Sequence, residues 1–307
     1  MSNIRASVVI PTKNRYGILR DTVESIQQQD EPVEIIVLDD GSSDGTPDRL
    51  RAEFPDVRVE SFSQSRGPAY RRNQGARLAT GEFLFTIDDD CTLPHADTIR
   101  RTVEAFDDAR VGAVTIPFVN IHKDKDLVLT VAPDVEQTYV AFEYYGGMVA
   151  LRRQIFLDLD GYRPYYFYMN EEGDYSVRLL NAGYYIKAGT AAPIDHHESP
   201  IRPSVRRNEL GTRNQMLFAW YNIPMPAMVP QMIGSGLKAA LHLYRLGHPD
   251  QAVRGFIKGW MAVLRQLNKR APVSANCYKL SREIRRREYV PLAEIKDRLA
   301  QIADERA

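Results

Sequence analysis

Short runs of β-branched residues alternate with amphipathic segments over the first 116 residues of the chain. This alternation is typical of βαβ units, in which parallel strands form one sheet and helices cover both of its faces. After the first run, Leu19, Val23 and Ile26 recur at helical spacing, which gives that segment one apolar face. The pattern predicts an α/β fold with a mostly parallel, Rossmann-like sheet and flanking helices. The predicted strands lie at residues 7–10, 34–38, 57–61, 83–87 and 111–116.

The pattern becomes irregular and rich in aromatic residues between residues 120 and 189, with several tyrosines close to Gly146 and Gly147. We expect this segment to build a substrate pocket over the sheet. A helix is predicted over residues 174–181. Gly183 would stop it, because glycine is favoured just after the end of a helix.

The last third of the chain has a mainly helical pattern from Pro203 onward. One segment carries an apolar stripe at helical spacing, formed by Val253, Phe256, Ile257, Trp260 and Leu264. We therefore divide the chain into residues 1–203, which hold the predicted sheet and pocket, and a helical region over residues 204–307.

The composition is that of a folded globular protein, since 44% of the 307 residues are hydrophobic and 26% are charged. Forty basic and forty acidic residues cancel, so no overall positive field favours a nucleic-acid partner. Cys91 and Cys277 are too few for a disulfide framework, and no signal-peptide pattern opens the chain. We therefore expect a cytoplasmic protein that does not bind nucleic acid.

Polar residues follow the first two predicted strands. Pro11, Thr12 and Arg15 come at the end of the first strand, and Asp39 and Asp40 come at the end of the second. Ligands of open α/β sheets bind beyond the carboxyl ends of the strands. These five residues are therefore candidates for ligand binding, and Asp39 or Asp40 could accept a hydrogen bond from a base or a ribose hydroxyl.

Three adjacent carboxylates, Asp88, Asp89 and Asp90, follow the fourth predicted strand. They repel one another, so a bound cation is a natural partner, and oxygen ligands suit Mg²⁺ or Mn²⁺. Because a strand projects alternate residues to one side, Asp88 and Asp90 are expected to face one ligand and Asp89 to point away and tolerate replacement best. The alternative is a solvated acidic loop.

Two arginines, Arg71 and Arg72, stand in the early turns of a predicted helix. A helix N-terminus favours anions, and guanidinium groups bind phosphate well, so either arginine could contact a phosphate or a base. The alternative is that both pair with surface carboxylates such as Glu82, and it carries more weight for Arg71 than for Arg72.

Glu171 and Glu172 follow a run of aromatic residues that would lower the local dielectric constant. Burial raises the pKa of a carboxylic acid, as a general base requires, so both are candidate bases. Asp174 stands four residues before Arg178, and we assign it to an ion pair on the helix surface rather than to catalysis.

His196 and His197 follow an apolar segment near the end of the irregular region. Adjacent residues of an extended chain face opposite sides, so only one of the two is expected to face the site. That histidine could complete a metal shell or contact a diphosphate, and a purely structural histidine is the alternative.

In this order and spacing the motifs resemble the inverting glycosyltransferases of family 2, which have the GT-A fold. The resemblance covers about residues 5–200. It rests on residues 8–15, 39–46, 72–76 with Gly81-Glu82, and 87–90. It implies that residues 1–203 form a catalytic domain that moves a sugar from a nucleotide-diphosphate sugar to an acceptor hydroxyl. Mn²⁺ or Mg²⁺ would assist, UDP is favoured over dTDP and GDP, and the acceptor would be a glycan or a lipid-linked molecule.

The resemblance also implies roles for single residues. Asp39 with Thr12 and Arg72 would hold the nucleotide. Asp88 and Asp90 take the outer places of the family's Asp-x-Asp motif, where the first would contact the ribose or sugar and the second the metal. The pair at residues 171–172 takes the place of the family's Glu-Asp motif, and which glutamate is the base stays open. Residues 196–200, with Arg206, Arg207, Arg213 and Asn214, are similar to a bacterial subgroup that acts on surface polysaccharides.

Two other functions remain open on sequence alone. A sugar-phosphate nucleotidyltransferase also needs carboxylates, a divalent cation and a nucleotide on a Rossmann-like sheet. It usually carries a glycine-rich loop after the first strand, whereas this chain has no glycine there until Gly17. The second alternative is a carbohydrate-binding protein without activity, although retention of every acidic position argues against it.

The last third of the chain also raises the question of membrane contact. Residues 216–237 carry no charge, but their prolines and glycines argue against a spanning helix. Between residues 238 and 288, twelve Lys and Arg residues face three Asp and Glu residues. This excess suits peripheral contact with anionic lipid at the inner face of a membrane, or a solvated basic face of helices packed on the first domain.

Overall fold

The computed structural model describes residues 4–198 and 204–305, and over these residues the fold is mixed α/β. The strands are β1 Ala6–Thr12, β2 Val33–Asp39, β3 Arg58–Ser61, β4 Phe83–Ile87, β5 Cys91–Thr92, β6 Val111–Thr115, β7 Phe118–Asn120, β8 Asp124–Leu129, β9 Tyr139–Ala141, β10 Met148–Arg152, β11 Tyr185–Lys187, β12 Ile194–His196 and β13 Tyr289–Pro291. The helices are α1 Tyr16–Gln27, α2 Thr46–Glu53, α3 Pro68–Leu78, α4 Thr98–Glu104, α5 Arg153–Asp158, α6 Glu171–Asn181, α7 Ser204–Asn222, α8 Met228–Arg245, α9 Pro249–Arg265, α10 Ala275–Arg287 and α11 Leu292–Asp304.

The larger sheet has the strand order β13-β9-β11-β6-β10-β4-β1-β2-β3 in the described part of the chain. Its pairings are antiparallel only where β10 or β9 takes part, so the other seven strands run in one direction. The five strands predicted from the sequence are all present in this sheet, and the mostly parallel α/β fold is confirmed.

Both faces of the sheet are buried, because helices cover each of them. Val8 and Ile10 of β1 enter one apolar cluster together with Leu19 of α1, and Val9 enters a second cluster together with Ala76 of α3. Alternate residues of a strand point to opposite faces, so a strand covered on both sides is mostly apolar, as β1 is at Val8, Val9 and Ile10. This packing fixes the carboxyl ends of β1, β2 and β4 side by side.

A smaller sheet, of order β5-β12-β7-β8, lies beside that edge. Its strand β5 follows the three aspartates, and β12 ends with the first of the two histidines. In their register His196 is paired with Cys91. A histidine more than one hundred residues away in sequence is thereby placed next to the acidic triplet.

The helical region after residue 203 is split between two cores, and the predicted boundary itself lies outside the described residues. Helices α7, α8 and α9 share their own apolar cluster. Helices α10 and α11 return to the large sheet, where β13 adds an edge strand next to β9 and Val290, Ile295 and Leu299 join the cluster of β1. The sequence pattern did not indicate β13, because three residues ending in proline are too short to show a period.

Candidate active site

The carboxyl ends of β1 and β2 bring Thr12 and Asp39 together as register partners. Asp39 is only 2% exposed, and its Oδ2 accepts a hydrogen bond from the backbone N–H of Ser42 at 3.1 Å. Its Oδ1 has no hydrogen-bond partner among the described residues. A buried carboxylate oxygen without a donor is costly, so this atom is available to a ligand donor at the sheet edge. Pro11 is buried in β1 beside Thr12.

Asp40 lies one residue further on, but its carboxylate is turned toward the loop before α3. It accepts hydrogen bonds from Ser65 Oγ at 2.5 Å, from the N–H groups of Arg66 and Gly67 at 2.8 and 3.0 Å, and from Arg71 Nε at 2.6 Å. Burial alone would raise the pKa of Asp40, but these donors hold it below its usual value. The contacts therefore assign Asp40 and the buried Arg71 to the loop rather than to a ligand, unlike the sequence-based expectation.

Asp88 and Arg72 form an ion pair at the carboxyl end of β4. Arg72 Nη2 donates to Asp88 Oδ1 at 2.6 Å, and the arginine side chain is only 4% exposed whereas that of Asp88 is 30% exposed. The predicted alternative of a surface arginine is wrong for Arg72, since the side chain is buried behind the carboxylate. This pair presents one charged oxygen to the space above the sheet edge.

The other two aspartates point elsewhere, because β4 ends at Ile87 and Asp89 and Asp90 lie in a turn. The alternation expected for a strand therefore does not apply. Asp89 accepts hydrogen bonds from Thr12 Oγ1 and from Arg15 Nη1, both at 2.7 Å, and burial raises its pKa to about 6 although Arg15 and Thr12 oppose the rise. Its backbone carbonyl also accepts a hydrogen bond from Thr22 Oγ1 of α1 at 3.1 Å, so Asp89 links β1 and α1, which argues against the expectation that it is the most replaceable of the three.

Asp90 faces the histidine of the smaller sheet. It is 1% exposed, accepts a hydrogen bond from Arg15 Nη1 at 3.0 Å, and lies 3.3 Å from His196 Nε2. His197 turns the other way, where its Nε2 lies 3.0 Å from Thr92 Oγ1. His196 is therefore the histidine that faces the site, and the two rings point to opposite sides as expected.

Donor atoms of Asp90, Cys91 and His196 lie within 4.8 Å of one another. A carboxylate and an imidazole that makes no hydrogen bond to the described residues fit a divalent cation such as Mn²⁺. The sulfur of Cys91 is a soft ligand and suits Mn²⁺ or Mg²⁺ less well than a carboxylate oxygen does. Asp88 is not part of this group. Its carboxylate is paired with Arg72.

Glu171 and Glu172 occupy the first turn of α6, which begins three residues earlier than the sequence pattern predicts. Glu171 is fully buried, its two oxygens make no hydrogen bond to the described residues, and Arg72 Nη1 lies 3.8 Å away. Burial raises the pKa of both carboxyl groups, and for Glu171 the neighbouring Glu172 raises it further. Two adjacent carboxyl groups with raised pKa values are typical of a functional site.

Only Glu172 reaches the open space of the site, a cavity of about 300 Å³. Asp88, Arg72 and His196 also line this cavity, and aromatic rings close its sides. These rings are Phe118, Tyr145 and Tyr168. The aromatic segment thus builds a pocket over the sheet edge, as the sequence predicts, with an acid–base candidate and the acidic triplet at its wall.

The chain matches the sequence profile of Glycosyl transferase family 2 over residues 7–172, more than half of its length. The chain belongs to glycosyltransferase family 2. A glucosyl-dolichyl phosphate glucuronosyltransferase of Haloferax volcanii is 30% identical over 177 residues, which cover 52% of this chain and 56% of the relative. A GalNAc(5)-diNAcBac-PP-undecaprenol beta-1,3-glucosyltransferase of Campylobacter jejuni is 40% identical over 94 residues, which cover 29% of this chain and 30% of the relative. The matched part thus spans about half, or less, of these curated relatives.

Solved structures show the same fold. A mannosyltransferase of Pyrobaculum calidifontis in complex with GDP-Man and Mn²⁺ has a TM-score of 0.57 at 22% identity and covers 97% of this chain and 84% of its own. S. aureus TarS 1-349 in complex with UDP-GlcNAc has a TM-score of 0.57 at 16% identity and covers 98% and 90%. The predicted GT-A fold is confirmed.

Gly146 and Gly147 are site residues whose role the sequence reasoning missed. A Cβ atom on Gly147 would lie 2.1 Å from Cγ of Asp88, and one on Gly146 would lie 2.5 Å from Oε1 of Glu172. The two glycines therefore let the backbone of the turn at residues 145–148 approach both carboxylates. Adjacent glycines between aromatic residues were visible in the sequence, but only a long-range contact explains them.

Replacing Gly147 with alanine is expected to lower kcat/KM by at least about a hundredfold, because a displacement of about 1 Å at a reacting group has that effect. The new methyl group would push Asp88 away from its present position. Gly17→Ala is the matched control, since no atom lies within 4 Å of a Cβ at Gly17. Sugar-transfer kinetics of both variants test the prediction, and equal activity of the two would refute it.

The segment before α6 is strained. Phe167, Met169 and Asn170 have φ angles of 66°, 72° and 71°, although none of them is glycine. Such conformations cost of the order of 1–3 kcal/mol each and persist only where the surrounding structure imposes them. The position of Glu172 therefore depends on whatever holds this segment.

Helix α7 holds the strained segment before α6 through Arg213 and Asn214. The sequence had linked these two residues only to a subgroup of the family. The fully buried Asn214 donates from Nδ2 to the carbonyl oxygens of Tyr166, Tyr168 and Met169 at 3.1, 2.9 and 2.7 Å. Arg213 Nη2 donates to the carbonyl of Tyr166 at 2.7 Å as well. Arg206, Arg207 and residues 199–200 of the same resemblance lie outside the residues whose side chains are described.

Asp174 is a structural residue, as its expected pairing with Arg178 suggested. It is fully buried rather than on the surface, and Arg178 Nε donates to it at 3.0 Å. Arg163 also contacts its carboxylate, and Asn222 Nδ2 of α7 donates to it at 2.7 Å. Asp174 thus ties the helix that carries Glu172 to the preceding loop and to α7.

Proposed function

We propose that this glycosyltransferase moves a sugar from a nucleotide-diphosphate sugar to an acceptor hydroxyl with inversion, assisted by Mn²⁺ or Mg²⁺. The observation that carries the proposal is the shared cavity of Asp88, Arg72 and Glu172 at the carboxyl edge of β4. It gathers an anion-binding side chain and a carboxyl group of raised pKa around one space. Asp39 and Thr12 at the neighbouring strand ends suit the nucleotide.

The residues divide the reaction between them. Arg72 offsets charge on the leaving diphosphate, and Asp88 accepts hydrogen bonds from the ribose or the sugar. Glu172 takes the proton of the acceptor hydroxyl. The hydroxyl oxygen attacks the anomeric carbon from the side opposite to the diphosphate, and the bond between the anomeric carbon and the diphosphate breaks. Asp90 and His196 would hold the divalent cation, which when bound supplies further stabilisation of the leaving group.

Arg15, Asp89 and Asp40 support the residues that would contact the substrate and the cation. Arg15 bridges Asp89 and Asp90, so it orients the carboxylate proposed for the metal. Glu171 is buried against Arg72 and supports its position. We therefore choose Glu172 over Glu171 as the base.

For the donor, UDP stands first, with dTDP and GDP as alternatives. A solved neighbour is bound to UDP-GlcNAc and another to GDP-Man, which supports a nucleotide-sugar donor. For the acceptor we propose a glycan or lipid-linked molecule in bacterial surface polysaccharide or glycoconjugate synthesis, since two relatives are named for dolichyl phosphate and PP-undecaprenol substrates. The enzyme would then work in the cytoplasm, in peripheral contact with the inner face of the membrane.

The reaction class is tested by incubating the full chain with UDP-, dTDP- and GDP-sugars and Mn²⁺. Release of nucleoside diphosphate supports glycosyl transfer. Formation of a nucleoside triphosphate that depends on added pyrophosphate would instead support a nucleotidyltransferase. If no nucleotide sugar is turned over, and none stabilises the protein in a thermal-shift assay, the proposed donor class is wrong.

His196→Ala is expected to weaken Mn²⁺ binding by at least about tenfold, because it removes the imidazole that lies 3.3 Å from Asp90 and would hold the cation together with it. His197→Ala is the matched control, since that ring faces Thr92. Mn²⁺ titration of each variant, followed by electron paramagnetic resonance, gives the two dissociation constants. Equal constants for both variants would remove His196 from the proposed metal site.

A further inference from the structure

Helices α8 and α9 expose two apolar stripes, which together we call the apolar face. The members are Val229, Ile233, Leu237, Leu241 and Tyr244 on α8, and Val253, Ile257, Trp260 and Leu264 on α9. Their side chains are 38–66% exposed, and their spacing of three or four residues places each set along one side of its helix. Four of the five residues of the stripe that the sequence predicts on α9 face outward, whereas the fifth, Phe256, is partly buried against the apolar cluster of α7.

The packing of α8 and α9 explains why these residues are outside. Both helices approach α7 through glycines: Gly236 and Gly259 lie against Met216, and Gly255 lies against Thr212. The apolar face lies on the sides of the helices that are turned away from this contact, and the described residues leave it uncovered. An exposed apolar surface of this extent marks an interaction site in a stable protein.

The charge around the apolar face is strongly positive. Residues 225–270 contain seven Lys and Arg residues and a single acidic residue, Asp250. Lys238, Arg245, Arg265 and Lys269 are exposed on the same two helices or just after them. An apolar stripe flanked by basic residues is complementary to the interface of an anionic bilayer. Among the described residues no helix is long and apolar enough to span a membrane.

Helix α8 borders a cavity that it shares with α6, the helix that carries Glu171 and Glu172. Its side chains Gln231, Lys238 and His242 line a cavity of about 760 Å³. The same cavity is lined by Asn170 and Gly173, which flank the Glu171-Glu172 pair at the start of α6. A lipid bilayer in contact with α8 would therefore lie next to a cavity that also borders the start of α6.

We propose that the apolar face binds the surface of an anionic phospholipid bilayer, with α8 and α9 lying in the plane of the interface and their apolar side chains among the lipid. The inference specifies the membrane contact of the proposed function, and it rests on that function for its purpose, which is to bring the site to a lipid-linked acceptor. The surface itself is defined by exposure, spacing and charge alone.

The test uses the full chain in a flotation assay with vesicles of phosphatidylcholine alone or with 30 mol% phosphatidylglycerol, roughly the range in which anionic lipid attracts basic segments. Binding is expected with the anionic vesicles. Leu237→Gln/Leu241→Gln/Ile257→Gln/Leu264→Gln should weaken it by at least about a hundredfold, because four side chains no longer enter the lipid. Glutamine is close to leucine in helix propensity and leaves the charge unchanged.

Val135→Gln is the matched control, because Val135 is the most exposed large apolar residue described (81%) and lies outside the two helices. It should bind vesicles as the unaltered chain does. Circular dichroism and stabilisation by the donor report whether each variant is folded. As a readout without substitution, brominated lipid should quench the fluorescence of Trp260.

No binding by the full chain, or equal binding by the quadruple variant, would overturn the inference. A dimer of the full chain that becomes a monomer in the quadruple variant, without vesicle binding, would show that a second copy covers the apolar face. Vesicle binding without turnover of any donor would leave the inference standing and remove the proposed function, so the two failures are distinguishable.

Discussion

Glu172→Gln is expected to lower kcat about 10²–10⁴-fold, the usual contribution of a positioned general base. The amide of glutamine keeps the shape of the side chain but cannot take the proton from the hydroxyl group of the acceptor molecule. Donor affinity should change little, because Arg72 keeps its pairing with Asp88 at 2.6 Å. Steady-state kinetics with the preferred donor, together with calorimetric donor binding, separate the two effects.

Glu171→Gln is the matched control for this variant. The substitution is the same and the residue is adjacent, but Glu171 is fully buried and does not line the cavity. We expect its kcat to stay within about tenfold of the unaltered enzyme, as for a residue that supports Arg72 without touching substrate. A larger loss in Glu171→Gln than in Glu172→Gln would reverse the assignment, and normal turnover in both would place the base elsewhere.

The pH dependence gives an independent check on Glu172. Burial raises its pKa above the ordinary value of about 4.3, so the deprotonated base is lost as pH falls through a higher value than for a free glutamate. The acidic limb of kcat/KM should therefore lie above that ordinary value. The limb should disappear in Glu172→Gln if this carboxylate is responsible for it.

The parts of the fold that depend on local pattern were predictable from the sequence. Strands β1, β2 and β4 are mostly buried and mostly apolar, and their observed bounds differ from the predicted ones by at most two residues. The rule that ligands bind at the carboxyl ends of such strands then located Thr12 and Asp39 correctly at the sheet edge. Residue type and strand position were sufficient for this much.

What the sequence could not show depends on contacts between distant residues. Asp89 was expected to be replaceable because a strand alternates, but the chain turns after Ile87 and brings it to Thr12, 77 residues away. Asp39 and Asp40 are the same residue type, yet the loop at residues 65–67 donates hydrogen bonds only to the carboxylate of Asp40. The periodicity of the sequence does not indicate either contact, because each depends on the path of the backbone between helices and strands.

Asp174→Ala is expected to lower the free energy of unfolding by about 3–5 kcal/mol, the usual effect of breaking a buried ion pair from one side. The carboxylate is fully buried and holds Arg163, Arg178 and Asn222 from three different elements. Its removal leaves two guanidinium groups without their shared partner. Urea unfolding at pH 7 measures the change, and Asp48→Ala is the control, since Asp48 pairs with Arg51 at the surface with its side chain 85% exposed.

The pH dependence of this stability has a definite sign. Burial alone would raise the pKa of Asp174, but Arg178, Arg163 and Asn222 lower it below the ordinary value of about 3.9. The folded state therefore favours the ionised form, and the contribution of Asp174 is fully present above that ordinary value and lost as pH falls through the lowered pKa. The difference between the unaltered protein and Asp174→Ala should narrow only in strongly acidic solution. A difference below about 1 kcal/mol at pH 7, comparable to that of an exposed pair, would contradict the role of Asp174 as the link between α6 and α7.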